Sequence, residues 1–404
     1  MEWIAGGVCA PQGFRAAGIH CGVRKNKEKK DLALVAADTL CAAAGTFTRN
    51  RVKASPVQLC IEHLAAGRAR AIVCNSGNAN ACAPRGMENA QRMAAACAAA
   101  LGIPAEQVLV ASTGVIGQEL PVGAIEEGIP VCANALGPNS SDAAEAIMTT
   151  DTRKKEFACE ISVGGRPVKL GGITKGSGMI HPNMGTMLCF MTTDAAIAPD
   201  ALRTALVRAV ERTFNRVSVD GDTSTNDSAI ILASGLAGNP SITGPESPGW
   251  AEFLKGLTQL CESLAREIAR DGEGATRLVT CTVAGAEDEA QAVQLAKSVI
   301  GSSLVKAAMF GADANWGRVI CAMGYSGSPL DPERVDIGFA SQAGEILVCK
   351  NGAGLAFDET LAKKILTQDE VTIRVALKGG AAEATAWGCD LTYDYVKING
   401  DYRT

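Results

Sequence analysis

Residues 71–114 read AIVCNSGNANACAPRGMENAQRMAAACAAALGIPAEQVLVASTG. Ala71-Ile72-Val73-Cys74 is a short apolar run that suits a buried strand, and it enters a polar loop, Asn75-Ser76-Gly77-Asn78-Ala79-Asn80. Residues 87–101 are rich in helix formers, and Gly102 followed by Pro104 ends them. Val108-Leu109-Val110 is a second buried strand, feeding the turn Ser112-Thr113-Gly114. Strand, helix and strand in that order predict an α/β layer arrangement.

Outward from there the pattern continues. Residues 143–149 predict a short helix, and 156–164 with 167–173 a hairpin turning at Gly164-Gly165-Arg166-Pro167. After a glycine-rich loop, residues 187–192 read as a buried strand, 200–214 as an amphipathic helix and 229–232 as a strand. Residues 237–249 (AGNPSITGPESPG) have the composition of a linker. Helix 250–270, strand 277–284 and helix 286–300 follow. The expected organisation is a larger mixed-sheet domain over residues 1–240 and a smaller α/β domain over 250–404.

Composition narrows the function classes. The chain has 404 residues, 47% hydrophobic and 20% charged, ample for a sizeable core. Aromatics make up only 4%, so that core is built mainly from Ala, Val, Leu and Ile. A net charge of −5 offers no electrostatic case for nucleic acid or an acidic membrane. The N-terminus lacks the pattern of a secretory signal, and no run approaches the roughly 20 apolar residues of a membrane span. The expected location is cytoplasmic.

The 15 cysteines lie no closer than the eight positions from Cys74 to Cys82, so no CxxC pair exists. Apolar neighbours, as around Cys82 and Cys189, predict reduced, buried thiols. The three histidines, His20, His63 and His181, are too scattered for a histidine-rich metal site, and no metal or resident cofactor is expected. Asp220-Gly221-Asp222-Thr223-Ser224-Thr225 has the look of a calcium loop. Thr225 stands where the sixth-position glycine belongs, however, and Ile231 where the closing glutamate belongs, so a polar turn is expected.

The segment 171–190, GGITKGSGMIHPNMGTMLCF, is different. A glycine-rich loop ends in Gly185, then Thr186, then the apolar strand. Gly185 leaves its carbonyl open to the Thr186 hydroxyl. An N-to-O acyl shift and hydrolysis would free the Thr186 amine, whose reference pKa near 7.7–8.0 suits it as base for its own hydroxyl. Spacing alone permits this chemistry without selecting it, since a threonine at a strand start is commonplace.

The segment resembles the glutamate N-acetyltransferase (ornithine acetyltransferase) family of arginine biosynthesis, whose usual form is close to KGSGMIxPNMATML; here residues 175–188 read KGSGMIHPNMGTML. The likeness runs along nearly the whole chain. It includes Gly6-Gly7-Val8 with Pro11-Gln12-Gly13-Phe14, the 75–80 loop, residues 111–117 (ASTGVIG) and Thr149-Thr150-Asp151-Thr152. It continues through 215–227 (NRVSVDGDTSTND), 271–276 (DGEGAT), Gly311-Ala312-Asp313, Asn315-Trp316-Gly317-Arg318 and 395–404 (YVKINGDYRT).

The resemblance implies an N-terminal-nucleophile-like layered fold and cleavage between Gly185 and Thr186. Thr186 then carries an acetyl group from N2-acetylornithine to glutamate. It implies an oxyanion hole at Thr113 and Gly114 and substrate binding by Thr152, Lys175, Thr186, Glu273, Asn399 and Thr404. The last two require a C-terminus that returns to the site. Fragments 1–185 and 186–404 would stay together and assemble two of each into a heterotetramer. Acetyl-coenzyme A stands as a second acetyl donor in some family members. A related threonine- or serine-nucleophile peptidase or amidase, and a non-catalytic scaffold with the bond intact, are the competing readings. Gly185 departs from the usual alanine, Arg277 stands where lysine is common, and His181 occupies a variable position where a packed or exposed side chain is expected.

Overall fold

The computed structural model describes residues 1–181 and 187–401. Gly185, Thr186 and Thr404 lie outside the described residues.

The architecture is α/β, built on two mixed sheets. In the nine-stranded sheet the order runs Glu2–Ile4, Lys155–Val163, Arg166–Lys175, Leu188–Thr193, Ser228–Ala233, Leu32–Phe47, Arg68–Asn78, Val108–Val115, with Phe14–Ile19 also on Leu32–Phe47. Leu188–Thr193 sits mid-sheet, antiparallel to Arg166–Lys175 and parallel to Ser228–Ala233. All six of its residues are buried, because helices cover both faces. Cys189 and Met191 point into the core under helices Pro199–Arg212 and Trp250–Arg270, while Leu188 and Phe190 point into the opposite core. The seven-stranded sheet has the order Ala353–Gly354, Gly344–Lys350, Asp336–Ser341, Glu370–Ala376, Leu278–Ala286, Ala382–Cys389, Val217–Ser218.

Local chemistry accounts for most elements. Helix Gly86–Leu101 buries Ala90, Met93, Ala94, Cys97 and Ala98, one stripe of its surface, and stops at Gly102 with φ +65°. The hairpin Lys155–Val163/Arg166–Lys175 turns through Gly164 and Gly165, both at positive φ, which matches the twist of the strands they join. Residues 237–249 contain only an isolated bridge, Ile197 to Ile242. Helix Trp250–Arg270 beyond them packs on the first sheet, burying Leu257, Leu260 and Leu264 in its core.

Four expectations change. The polar segment from Asn75 is not loop but strand, continuing to Asn78, and the turn at Ser112-Thr113-Gly114 belongs to strand Val108–Val115. Neighbours supply the reason: Asn75 is paired with Leu32 on one side and Ser112 on the other, and its Oδ1 accepts from Ser112 Oγ at 2.6 Å. Ser76 Oγ donates to Ala146 O. The short helix runs Ser140–Ala146 rather than 143–149. Cys82 is exposed despite its apolar neighbours, as is Cys321; most other cysteines are buried thiols. No helix among the described residues is long and apolar enough to cross a membrane.

Candidate active site

The ends of several elements converge on a cavity of about 230 Å³. Its described lining includes Thr113, Gly114, Lys175, Asp220, Glu273 and Asn399.

Thr113 and Gly114 close the strand Val108–Val115, where parallel register sets Gly114 beside Gly77. Gly114 has φ +133°, and a Cβ there would stand 2.3 Å from the Gly77 carbonyl carbon. Only glycine allows that approach. Thr113 is buried, and its Oγ1 accepts from Lys175 Nζ at 3.5 Å, which leaves its own proton to donate. Lys175 ends the strand Arg166–Lys175 directly opposite Leu188.

The loop after Lys175 is held by carboxylates. Asp151 Oδ1 accepts from Gly176 N–H at 2.7 Å and Asp220 accepts from the N–H groups of Met179 and Ile180. Burial pushes the Asp220 carboxyl up, against those backbone donors. With its oxygens spent on backbone, Asp220 is part of a polar turn, and no cluster of metal-binding side chains occurs among the described residues.

A buried lysine organises the next layer. Lys155 Nζ lies 2.6 Å from both Asp151 Oδ1 and Asp271 Oδ2. Burial works to raise the Asp151 carboxyl, but Lys155 and Lys175 outweigh it and hold that group well below the usual carboxylate range. Asp271 also accepts from the N–H and hydroxyl of Thr152, while its backbone carbonyl accepts from Ser177 Oγ. Glu273 follows, its N–H donating to Ser177 O. Gly178 lets the Glu273 carboxyl approach its backbone, because a Cβ would fall 2.3 Å from the carboxyl carbon and displace it.

The last helix, Tyr393–Asp401, lines this cavity with Tyr395 and Asn399. Asn399 Nδ2 donates to Glu273 Oε2 at 2.7 Å, Thr392 Oγ1 donates to Gly274 O, and a Cβ on Gly274 would meet Tyr395 N at 2.6 Å. Burial and then Asp220 and Glu273 push the Tyr395 phenol up.

Thr113, Gly114, Lys175, Glu273 and Asn399 are thus brought to one cavity. Thr152 is not: it lines a neighbouring cleft with Asp271 and Lys397, while Thr149 and Thr150 line the main cavity in its place. The matched motifs contain Asp151 and Asp271 without giving either a role, and Lys155 lies outside all of them. The charge of Lys155 in an otherwise alternating strand was the available signal. His181 is half-buried, its Nδ1 2.9 Å from Ser218 Oγ, and burial with Lys297 lowers its pKa. Arg277 does more than carry charge, since Nη1 donates to the carbonyls of both Met309 and Phe310.

Known proteins are similar to this chain in sequence. The arginine biosynthesis bifunctional protein ArgJ of Symbiobacterium thermophilum is 53% identical over 407 residues, covering 100% of both chains. That of Caldanaerobacter subterraneus subsp. tengcongensis is 49% identical over 409 residues, again covering 100% of both. A crystal structure of arginine biosynthesis bifunctional protein ArgJ from Bacillus halodurans is 50% identical with a TM-score of 0.50, covering 53% of this chain and 98% of that one. The ArgJ family model matches residues 15–404, nearly the entire length over which the cavity is assembled, and with these identities it establishes that the chain belongs to the ArgJ family.

Proposed function

We propose that this enzyme moves the acetyl group of N2-acetyl-L-ornithine to L-glutamate, giving L-ornithine and N-acetyl-L-glutamate, through an acetyl-Thr186 intermediate formed after cleavage of Gly185–Thr186. One observation carries the reading. A single cavity joins Lys175 and Thr113-Gly114 to a Glu273–Asn399 pair, beside the strand that continues from Thr186. Lysine suits the carboxylate and Glu273 the ammonium of an amino-acid substrate. The full-length relatives are named as arginine biosynthesis proteins, which agrees.

In this mechanism the free Thr186 amine takes the proton of its own hydroxyl as the oxygen attacks the acetyl carbonyl. Thr113 Oγ–H and Gly114 N–H stabilise the oxyanion. Ornithine leaves with the proton, and glutamate repeats the steps in reverse order of departure, so the kinetics are ping-pong. Acetyl-coenzyme A is proposed as a second donor to the same threonine, in keeping with relatives named bifunctional; turnover with each donor separately tests it.

The cut leaves the sheet intact. Leu188–Thr193 and Ser228–Ala233 are inserted between Arg166–Lys175 and Leu32–Phe47, so the two products share one ladder of hydrogen bonds and one core. They therefore remain paired, and two such pairs form the proposed heterotetramer. The solved Bacillus halodurans chain, matched over 98% of itself but 53% of this one, has the size of a single product.

Intact mass of the purified protein beside Thr186→Ala tests the reading: two fragments, 1–185 and 186–404, against one uncut chain. A fully active uncut wild type sinks it, and acetate release without glutamate identifies an amidase instead. Asn399→Ala, which removes the amide holding Glu273, is expected to raise KM for the amino-acid substrates about tenfold, the effect of one lost hydrogen bond to a charged group, with kcat little changed. Initial-rate kinetics in both substrates check this.

A further inference from the structure

Asp227 is 2% exposed and immediately precedes strand Ser228–Ala233. That strand sets Ser228 against Leu188 in parallel register, so Asp227 stands level with Met187, the residue bonded to Thr186. Its carboxyl faces the Lys175 ammonium, the Ser224 and Thr48 hydroxyls and the Met187 N–H. Its Oδ2 is nevertheless buried with no hydrogen-bond partner, the one carboxylate oxygen in that condition among the described residues. The neighbouring acids are all engaged: Asp151 by Lys155, Gly176 and Thr149, Asp271 by Lys155 and Thr152, Asp220 by Met179 and Ile180, Glu273 by Asn399.

Leaving a buried polar oxygen unpaired costs stability, so a group held that way calls for a function. Burial raises the Asp227 carboxyl well above its ordinary value, with Lys175 opposing, which makes its ionised form a stronger base than an exposed aspartate.

We propose that Asp227 is the proton acceptor for the Thr186 hydroxyl during cleavage of the precursor, an assignment that rests on Gly185–Thr186 being the bond cut. The mature enzyme has the Thr186 amine for this purpose. In the precursor that nitrogen is an amide, whose lone pair is delocalised, and cleavage needs another base. As Thr186 Oγ bonds to the Gly185 carbonyl carbon, its proton passes to the Asp227 carboxylate. The carboxyl returns that proton to the Thr186 nitrogen as the C–N bond breaks. The products are a Gly185 ester on Thr186 and a free amine; water then hydrolyses the ester, leaving a carboxylate on Gly185. Lys175 faces the carboxylate throughout and favours its charged form.

The test is a pulse-labelled cell-free synthesis of the full chain, following fragment formation with time and pH. Asp227→Asn is expected to slow cleavage at least a hundredfold, the usual contribution of a positioned base, and to lose the rise in rate with pH that the wild type shows. Asp227→Glu is expected to cut at an intermediate rate. Asp227→Asn cutting at the wild-type rate, with Thr186→Ala uncut, overturns this inference alone. A wild type that stays whole or is cut elsewhere overturns the functional reading instead. If Asp227→Asn gives no cooperative unfolding, the pH profile of Asp227→Glu decides. A displaced rise supports the assignment and an unmoved one overturns it.

Discussion

Lys155→Met lowers stability by about 3–5 kcal/mol, the cost of breaking a buried ion pair by removing one partner. Asp151 and Asp271 would then face each other in a dry interior with no cation between them. The Lys155 side chain is wholly buried, so water cannot take its place. Loss of activity accompanies the loss of stability, because this lysine ties together the segments carrying Thr149 to Thr152, Gly176 to Gly178 and Glu273. The shift in urea midpoint against wild type is the measurement; a change near zero would show that the network contributes nothing.

The same network sets an acid limit. Asp151 is depressed in the folded protein, so its contribution to stability is complete above the ordinary aspartate pKa, about 3.9. It is lost progressively as pH falls below that value toward the depressed folded one. The midpoint difference between wild type and Lys155→Met should therefore be constant from pH 8 to about 5 and shrink under stronger acid.

Gly114→Ala is expected to cut acetyl transfer by about 10²–10³, the range for losing one oxyanion-hole donor. The added methyl would stand 2.3 Å from Gly77 C and 2.6 Å from Asn78 N, both backbone atoms that cannot rotate away. The φ of +133° is itself strained for any residue with a Cβ. The strand end must move, and Gly114 N–H moves with it. Gly102→Ala is the control, since Gly102 is also at positive φ (+65°) but nothing lies within 4 Å of its Cβ position. It should cost stability by about 1 kcal/mol without changing turnover. Equal losses of kcat in both variants would mean that Gly114 matters only for folding.

Much of the fold was legible because its signals are local. Gly102 after an alanine-rich run, the Gly164-Gly165 turn and the apolar runs near 188–193 and 228–233 each state their conformation within a few residues. The long strand Leu32–Phe47 was not legible. Five of its residues from Cys41 to Gly45 are small, with weak strand preference, and they are strand because Ser228–Ala233 and Arg68–Asn78 bracket them. Asn75 and Ser76 failed as strand for the same reason: their partners, Ser112 and Ala146, are far away in sequence.

The site divides along the same line. Family likeness identified Thr113, Gly114, Lys175, Glu273 and Asn399, and these meet at one cavity. Lys155 lies outside every matched motif, and the motifs that hold Asp271 and Asp227 do not show what either does, because a burial cost and an unpaired oxygen exist only once distant segments pack.

By itself, the sequence determined the α/β class, the family and the stretch around Gly185–Thr186 on which the chemistry is proposed to turn. Those follow from short-range patterns and shared motifs. Tertiary structure alone decided that the strand after Thr186 lies mid-sheet, that Thr152 serves Asp271 instead of the main cavity, and that Asp227 keeps one buried oxygen unpaired. The reason is physical: desolvation and electrostatic pairing depend on what surrounds a side chain in space, and residues 119 positions apart, as Thr152 and Asp271 are, supply those surroundings as readily as neighbours.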